Sequence, residues 1–288
     1  MESVKKNRGR KPEKDDETTN FKIVTVQSLA LRIFFMSLNK YFDIITLQIT
    51  NRGIIISEVN SENTVLVNSR LSNENFENYE IDKEFLIHIN LKSFCEIIKN
   101  IKNNDILMFH NKTNNSWDIN TRDYEKNKDD NYTIKLINRP DYKKYNVTPQ
   151  TFNFELSLPS KELTTLIKKM KPIKSDSVII KTSSNSISFI CENDDLSCES
   201  VFRETVDSYE GLQMNYSSEE EEAIGTFQYK YFSLCNGFRD LCNLVHMYIR
   251  NDSPIVMKYS VANLGELKIC LSPIQTEEIE THPFIVLN

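Results

Sequence analysis

The chain has 288 residues, 39% hydrophobic and 26% charged, with a net charge of −6; this composition suits a soluble protein of one large domain or two ordinary ones. Its six glycines, Gly9, Gly53, Gly211, Gly225, Gly237 and Gly265, are isolated, which leaves no glycine-rich loop to cradle phosphates and argues against P-loop or dinucleotide-fingerprint chemistry. The six cysteines form no C-x-x-C pair, the four histidines have no partner at metal spacing, and no stretch is apolar enough to span a bilayer, so an intracellular protein with buried thiols and no metal or other cofactor is expected.

Residues 1–19 are charged or polar without periodicity and read as a disordered arm. Within it, Arg8-Gly9-Arg10-Lys11-Pro12 is similar to a nuclear-import cluster or an AT-hook core, although a plain solvated tail accounts for it equally simply.

From Phe21 the pattern predicts a strand (21–26), a helix (28–41), a strand (44–50), a turn at Asn51-Arg52-Gly53 and a strand (54–59), with Gly53 supplying the turn's positive φ. Strands at 64–71 and 85–89 lead to a helix at 91–102, stopped by Asn103-Asn104-Asp105. Strands at 106–112, 117–120 and 132–137 follow, with 121–131 expected as an exposed loop. Pro140 and Pro149 mark 139–151 as a linker. The second half then runs strand (152–158), helix (161–171) and a hairpin (178–182 and 187–191). Further strands at 196–202, 211–216 and 223–227, a helix (229–241) and three closing strands (244–249, 255–260, 266–271) complete it.

An apolar stripe at i, i+3, i+4, i+7 marks each of the four helices: Leu31, Phe34, Phe35, Leu38; Phe94, Ile97, Ile98, Ile101; Leu163, Leu166, Ile167, Met170; and Tyr231, Leu234, Cys235, Phe238. The first and third stripes lie 132 positions apart and the second and fourth 137, so the chain reads as two halves of two helix-plus-strand units each.

Opposite these stripes stand cations. Lys92 and Lys99 are seven apart and fall within about 20° of one another around the helix axis. Lys161 and Lys168 repeat the spacing with Lys169 beside them, and Arg32, Lys40, Lys230 and Arg239 charge the other two helices. A solvated lysine face is the ordinary fate of such residues. Four related helices turned to one surface would instead make that surface cationic on an acidic protein, suiting a phosphate backbone without base reading. No motif assembles nucleophile, base and oxyanion donor, so no enzyme activity and no catalytic residue are expected.

The stretch 253–273, SPIVMKYSVANLGELKICLSP, resembles the C-terminal signature of the PCNA family of DNA sliding clamps. Segment 90–105, NLKSFCEIIKNIKNND, is similar to that family's second helix, 27–53 to its first helix and hairpin, and 159–171 to its third helix. The resemblance covers roughly 21–274 and implies an α+β, two-domain sliding-clamp fold of four helix-plus-sheet repeats. Helices would line an inner face and antiparallel sheets lie outside. The implied divisions are an N-terminal domain at 20–138, a connector at 139–151, a C-terminal domain at 152–274 and a tail at 275–288.

The function so implied is that of a homotrimeric polymerase processivity factor, which encircles duplex DNA regardless of sequence and tethers DNA polymerase, clamp loader and other replication proteins through short peptide motifs. It would work at replication sites, in a nucleus or a viral replication compartment, with no membrane partner. Arg32, Lys40, Lys92, Lys99, Lys161, Lys168, Lys169, Lys230 and Arg239 are the implied DNA contacts. Subunits would meet edge to edge, Tyr132, Ile134 and Leu136 against Cys198, Ser200 and Phe202. Val59, Tyr145, Val147, Pro254, Leu271, Ser272 and Pro273 would wall the partner-peptide pocket.

Departures from the family pattern stand out. Glu96 replaces a base between Lys92 and Lys99, Ser184 aligns with the lysine that eukaryotic clamps offer to ubiquitin, and Arg139, Lys143 and Lys144 make basic a connector that is typically acidic. Asn- and Ile-rich composition fits an AT-rich genome such as a large DNA virus. A clamp-derived checkpoint or late-transcription platform, and a monomeric adaptor that never encircles DNA, are the competing readings.

Overall fold

The computed structural model describes residues 20–111, 115–146, 151–205, 211–216, 222–274 and 285–287; the arm at 1–19 and Val147 fall outside them. The first half runs β1 (Phe21–Thr25), α1 (Ser28–Leu38), β2 (Ile44–Thr50), β3 (Gly53–Val59), β4 (Val65–Ser72), β5 (Asn78–Ile81), β6 (Phe85–Asn90), α2 (Leu91–Ile98), β7 (Ile106–His110), β8 (Ser116–Asp123) and β9 (Lys128–Lys135). A short strand β10 (Lys144–Asn146) lies in the connector. The second half runs β11 (Phe154–Pro159), α3 (Ser160–Met170), β12 (Ser177–Ser183), β13 (Ser186–Glu192), β14 (Ser197–Arg203), β15 (Gln213–Tyr216), β16 (Glu222–Gln228), α4 (Tyr229–Leu234), β17 (Leu244–Ile249), β18 (Ile255–Val261) and β19 (Gly265–Leu271), with β20 (Ile285–Leu287) beyond it.

The architecture is α+β, as expected from the helix-plus-strand repeat. Four sheets form among the described residues: β5-β1-β7-β8-β9, β14-β13-β12-β16, the pair β10-β20, and a nine-stranded sheet ordered β15-β11-β17-β18-β19-β4-β3-β2-β6. All pairs are antiparallel, and the nine-stranded sheet crosses from one half to the other where β19 meets β4 in register from Gly265↔Leu71 to Leu271↔Val65.

Two glycines make that junction possible. A Cβ on Gly265 would stand 2.0 Å from the Arg70 carbonyl oxygen, and one on Gly53, whose φ is +129°, 2.0 Å from the Leu71 carbonyl oxygen. Neighbouring strands β3 and β19 therefore close on the end of β4 only because neither carries a side chain there.

Alternation along these strands sorts their side chains to two buried faces. Ile255, Met257, Tyr259 and Val261 join the main core under the helices, while Val256, Cys270 and Leu66 form a second apolar cluster on the opposite face, with Val59, Tyr145, Phe152 and Tyr248 packed against it. Burial pushes the Cys270 thiol up to about 12.

A buried ion pair anchors the start of the connector. Glu58 of β3 is 1% exposed, and Arg139 Nη1 donates to its Oε1 at 2.7 Å and its Oε2 at 2.9 Å. The Thr46 N–H donates to the same carboxylate at 2.7 Å, and the guanidinium lies 5.4 Å from the Tyr142 ring centroid. Burial raises the Glu58 carboxyl although Arg139 and Thr46 pull against it. Burial and the Arg139 charge hold the neighbouring His88 imidazole below its ordinary value. Its contribution to stability is thus complete above the unfolded pKa of about 6.5 and is lost as pH falls from there through the lower folded value.

Several expected boundaries move. α2 ends at Ile98 and α1 at Leu38, because each closes in tighter turns. α4 gives way at Cys235 to a 3₁₀ turn reaching Phe238. The expected loop at 121–131 is mostly strand: β8 and β9 form a hairpin from Ser116↔Lys135 to Asp123↔Lys128, turned at Asn127 with φ +48°. Polar residues dominate the segment because this hairpin is exposed on much of its surface, and they resemble a loop for that reason. Strand β5, with no apolar run, carries no sequence signal of its own.

Two outcomes follow for equilibrium unfolding in urea. Gly265→Ala should destabilise by about 1–3 kcal/mol, since the added methyl meets backbone that cannot swing away. Arg139→Met should cost about 3–5 kcal/mol by stranding the Glu58 charge, whereas Glu58→Leu with Arg139→Met should recover most of that loss.

Candidate nucleic-acid face and partner surface

The helices form one layer in the order α2, α1, α4, α3, and named side chains make each contact. Between α2 and α1, Phe94 and Phe35 meet edge to face at 4.9 Å and the Cys95 thiol donates to the Phe35 carbonyl. Between α1 and the 3₁₀ turn after α4, the Ser37 hydroxyl donates to the Gly237 carbonyl at 2.7 Å, an approach that a side chain at Gly237 would obstruct. Tyr41 reaches the Tyr231 carbonyl at 3.3 Å, and the Tyr229 hydroxyl donates to the Ile167 carbonyl of α3 at 2.9 Å.

Individual ends are set by local chemistry. The Asn90 side chain accepts from the Ser93 N–H at 2.8 Å and caps α2. α3 carries Glu162 in its first turn and Lys168 and Lys169 in its last, the arrangement that complements the helix dipole.

The expected cations divide by partner. Lys40, Lys92, Lys161 and Lys168 are exposed and form no ion pair among the described residues. Lys99 pairs with Glu96 one turn earlier, so the acidic departure noted in α2 is neutralised within the helix. Lys230 pairs with Glu62 at 2.6 Å and lies 4.6 Å from the Tyr231 ring centroid; the contact lowers the Glu62 carboxyl. Arg239 meets Asp240 at 3.2 Å. Arg32 is half-buried and donates to the Lys99 and Ile101 carbonyls at the end of α2, so its guanidinium is engaged in capping a helix. Lys169 turns toward β14, donating to the Ser200 hydroxyl at 3.1 Å.

That last contact sets β14 beside α3, while Trp117 of β8 stacks 5.0 Å from Phe94 of α2 and brings β9 to the other end of the helix layer. β9 and β14 each terminate their sheet. Two other sheet ends are covered in part, the Ile137 N–H donating to the His88 carbonyl along β6 and the Ile274 N–H to the Thr226 carbonyl along β16, while β5 and β15 end their sheets as β9 and β14 do. On β9, Tyr132 is exposed, but Ile134 is buried, and Leu136 lies one residue past the strand and packs into the core. On β14, Cys198 and Phe202 also pack inward and Ser200 is half-buried. The apolar side chains left bare near that edge are Leu196, 53% exposed, and Val201, 41% exposed. Sequence reading missed Val201 because it is the one apolar residue on a strand face otherwise made of Ser197, Glu199 and Arg203.

The expected partner surface comes together in part. Val59 and Tyr145 join the outer apolar cluster, and the Ser57 hydroxyl donates to the Tyr145 carbonyl, clamping β10 to β3. Pro254, Ser272 and Pro273 are half-buried. Leu271, by contrast, points into the main core, a correction that follows from strand alternation: its neighbour Cys270 faces the outer cluster with Leu66 and Val256. The Ser272 Oγ is buried without a hydrogen-bond partner. Arg139, counted with Lys143 and Lys144 as rim charge, is instead committed to Glu58, leaving the exposed Lys143 and Lys144.

Among the described residues no helix is long and apolar enough to cross a membrane. Family models for the N-terminal and C-terminal domains of proliferating cell nuclear antigen match residues 23–141 and 146–274. A protein of Paramecium bursaria Chlorella virus 1 named "Probable DNA polymerase sliding clamp 1" is 24% identical over 267 residues, covering 90% of this chain and 99% of that one. The proliferating cell nuclear antigen of Dictyostelium discoideum is 24% identical over 257 residues, covering 88% and 98%. The crystal structure of that antigen from Entamoeba histolytica shares the fold with a TM-score of 0.81 at 17% identity, over 90% of this chain and 100% of that chain. With both domain models matched in order over a repeated helix layer and antiparallel sheets, the chain belongs to the PCNA family of DNA sliding clamps, processivity factors of DNA replication rather than enzymes.

Proposed function

We propose that three copies of this chain close into a ring by pairing β9 of each with β14 of the next, and that the ring encircles duplex DNA with its helix layer facing the phosphates. It works at replication sites, where it holds DNA polymerase, clamp loader and other replication proteins by short peptides bound against the connector, and itself catalyses nothing. The observation that supports this reading is that β9 and β14 each end a sheet, one on the α2 side and the other on the α3 side of the helix layer, with exposed lysines carried along the helices between them. An edge strand left bare is a liability for a monomer and a docking device for an assembly. The cations suit sequence-independent contact, because phosphates position a duplex without reporting its bases.

Among these cations, the unpaired ones carry the contact. Lys40, Lys92, Lys161 and Lys168 meet DNA without first breaking an ion pair, whereas Lys99, Lys230 and Arg239 must give up Glu96, Glu62 and Asp240. Each exposed pair is itself worth little, so its effect is to discount the cation rather than to remove it.

Sedimentation velocity at micromolar concentration should give a single species of three times the 33.7 kDa protomer mass; a monomer alone at that concentration defeats the ring. Charge reversal of the free cations, Lys92→Glu with Lys168→Glu, should weaken binding to a random-sequence duplex more than Lys99→Glu with Lys230→Glu. The slope of log affinity against log salt should fall by about 0.9 for every phosphate that is no longer neutralised. Equal effects of the two pairs would show that ion pairing does not sort these residues.

A further inference from the structure

The connector strand β10 has its partner within the chain. Lys144, Tyr145 and Asn146 pair antiparallel with Leu287, Val286 and Ile285 of β20. Strand order places no other described strand in a sheet with β10, and the clamp from Ser57 to the Tyr145 carbonyl holds it against β3.

We propose that β20 is an internal competitor for the partner surface: it occupies the connector edge that a partner peptide needs, and a partner binds by displacing it. This rests on the reading of the connector as the partner surface. Extended peptides bind such edges by adding a strand, drawing affinity from main-chain hydrogen bonds and selectivity from side chains beside them. A single edge admits one strand at a time.

The segment has the composition that this connector selects. Glu277, Glu278 and Glu280 precede an apolar run, Phe284-Ile285-Val286-Leu287, and residues 275–284 contain no Lys or Arg. Lys143 and Lys144 stand exposed at the connector, so acidic residues beside an apolar strand are favoured there and basic ones opposed. The chain thus supplies a strand of the same kind that the connector's charge demands of a partner.

The tether makes the competitor effective even if its strand is weak. Ten residues separate Ile274, fixed by its N–H on the Thr226 carbonyl, from Ile285. A tether of ten residues gives an effective concentration on the order of millimolar. A strand with an intrinsic dissociation constant near 0.1 mM would then fill the edge about nine-tenths of the time and weaken a competing peptide about tenfold. Peptides of micromolar affinity still displace it, so the device screens out weak partners rather than closing the surface.

The probe is a fluorescein-labelled synthetic peptide of residues 275–288, titrated by anisotropy against the full chain and against the full-length variant Ile285→Gly, Val286→Ser, Leu287→Gly. The variant should bind the probe about tenfold tighter. Without probe, its amides at Lys144–Asn146 should exchange faster with deuterium than in the parent chain, and adding probe should restore their protection. Adding Lys143→Glu and Lys144→Glu to the variant should weaken probe binding again. Equal probe affinity in parent and variant overturns the competitor and leaves the partner surface standing. Faster exchange in the variant with no probe binding overturns both, making β20 a structural strand only. Equal exchange and no binding in either protein overturns the pairing itself.

Discussion

The junction of β19 with β4 is the constraint on which the rest of the molecule depends. It turns two half-chains into one nine-stranded sheet, and further hydrogen bonds reinforce it across the seam: the Ser69 hydroxyl donates to the Glu266 carbonyl at 2.8 Å and the backbone N–H of Ser72 to the Leu264 carbonyl at 2.9 Å. The helix layer is sewn at the same place by Ser37 on Gly237 and Tyr41 on Tyr231. Both layers are thus joined across the two halves, which lie between the edge strands β9 and β14. In the proposed ring, the relative placement of those two edges is what would decide whether a head-to-tail contact closes or runs on as a filament.

Burial on both faces of the sheet follows from this junction. Strands β4, β18 and β19 carry apolar residues at successive positions, one set for the helices and one for the connector. The second set, Leu66, Val256 and Cys270, is too small to be a core, and of the apolar side chains that cover it, Val59, Tyr145, Phe152 and Tyr248, only Tyr145 comes from the connector. What keeps the connector there is therefore polar: Glu58 and Arg139 at its start and Ser57 on Tyr145 further along. A buried ion pair contributes position more surely than stability, and here the position set is that of the strand edge on which β20 pairs.

Much of this was legible in the residues. The four i, i+3, i+4, i+7 stripes located every helix, because burying one face against a sheet leaves that spacing no freedom, and Asn51-Arg52-Gly53 located its hairpin. Other parts were illegible for physical reasons. Strand β9 reads KDDNYTIK, polar on both faces, because one face is solvent and its outer edge is unpaired. Leu271 was assigned to the partner surface because a strand buried on both sides gives no alternation from which to tell its faces apart. Glu58 and Arg139 lie 81 positions apart, and nothing local distinguishes a glutamate that will be buried from its many exposed neighbours. Arg32 looked like its fellow cations on the helices until α2 ended early and offered it carbonyls.

Charge in this protein is organised by distance rather than by total. A net charge of −6 would repel a polyanion at long range, but at physiological salt the field of a surface charge fades within about 8 Å, so in the proposed ring a duplex would meet the helix face alone. On that face Glu96 and Asp240 neutralise Lys99 and Arg239, and Glu62 reaches in from the β3–β4 turn to neutralise Lys230. The cations that remain free are spread over α2, α3 and the turn after α1 instead of being gathered at one point. Spreading them favours a duplex that slides over one that is seized, since no phosphate finds a site much better than the next one along. The acidic remainder then works in the same direction: it lowers the attraction of the outer surfaces for DNA and leaves the helix face as the place where a phosphate backbone is tolerated.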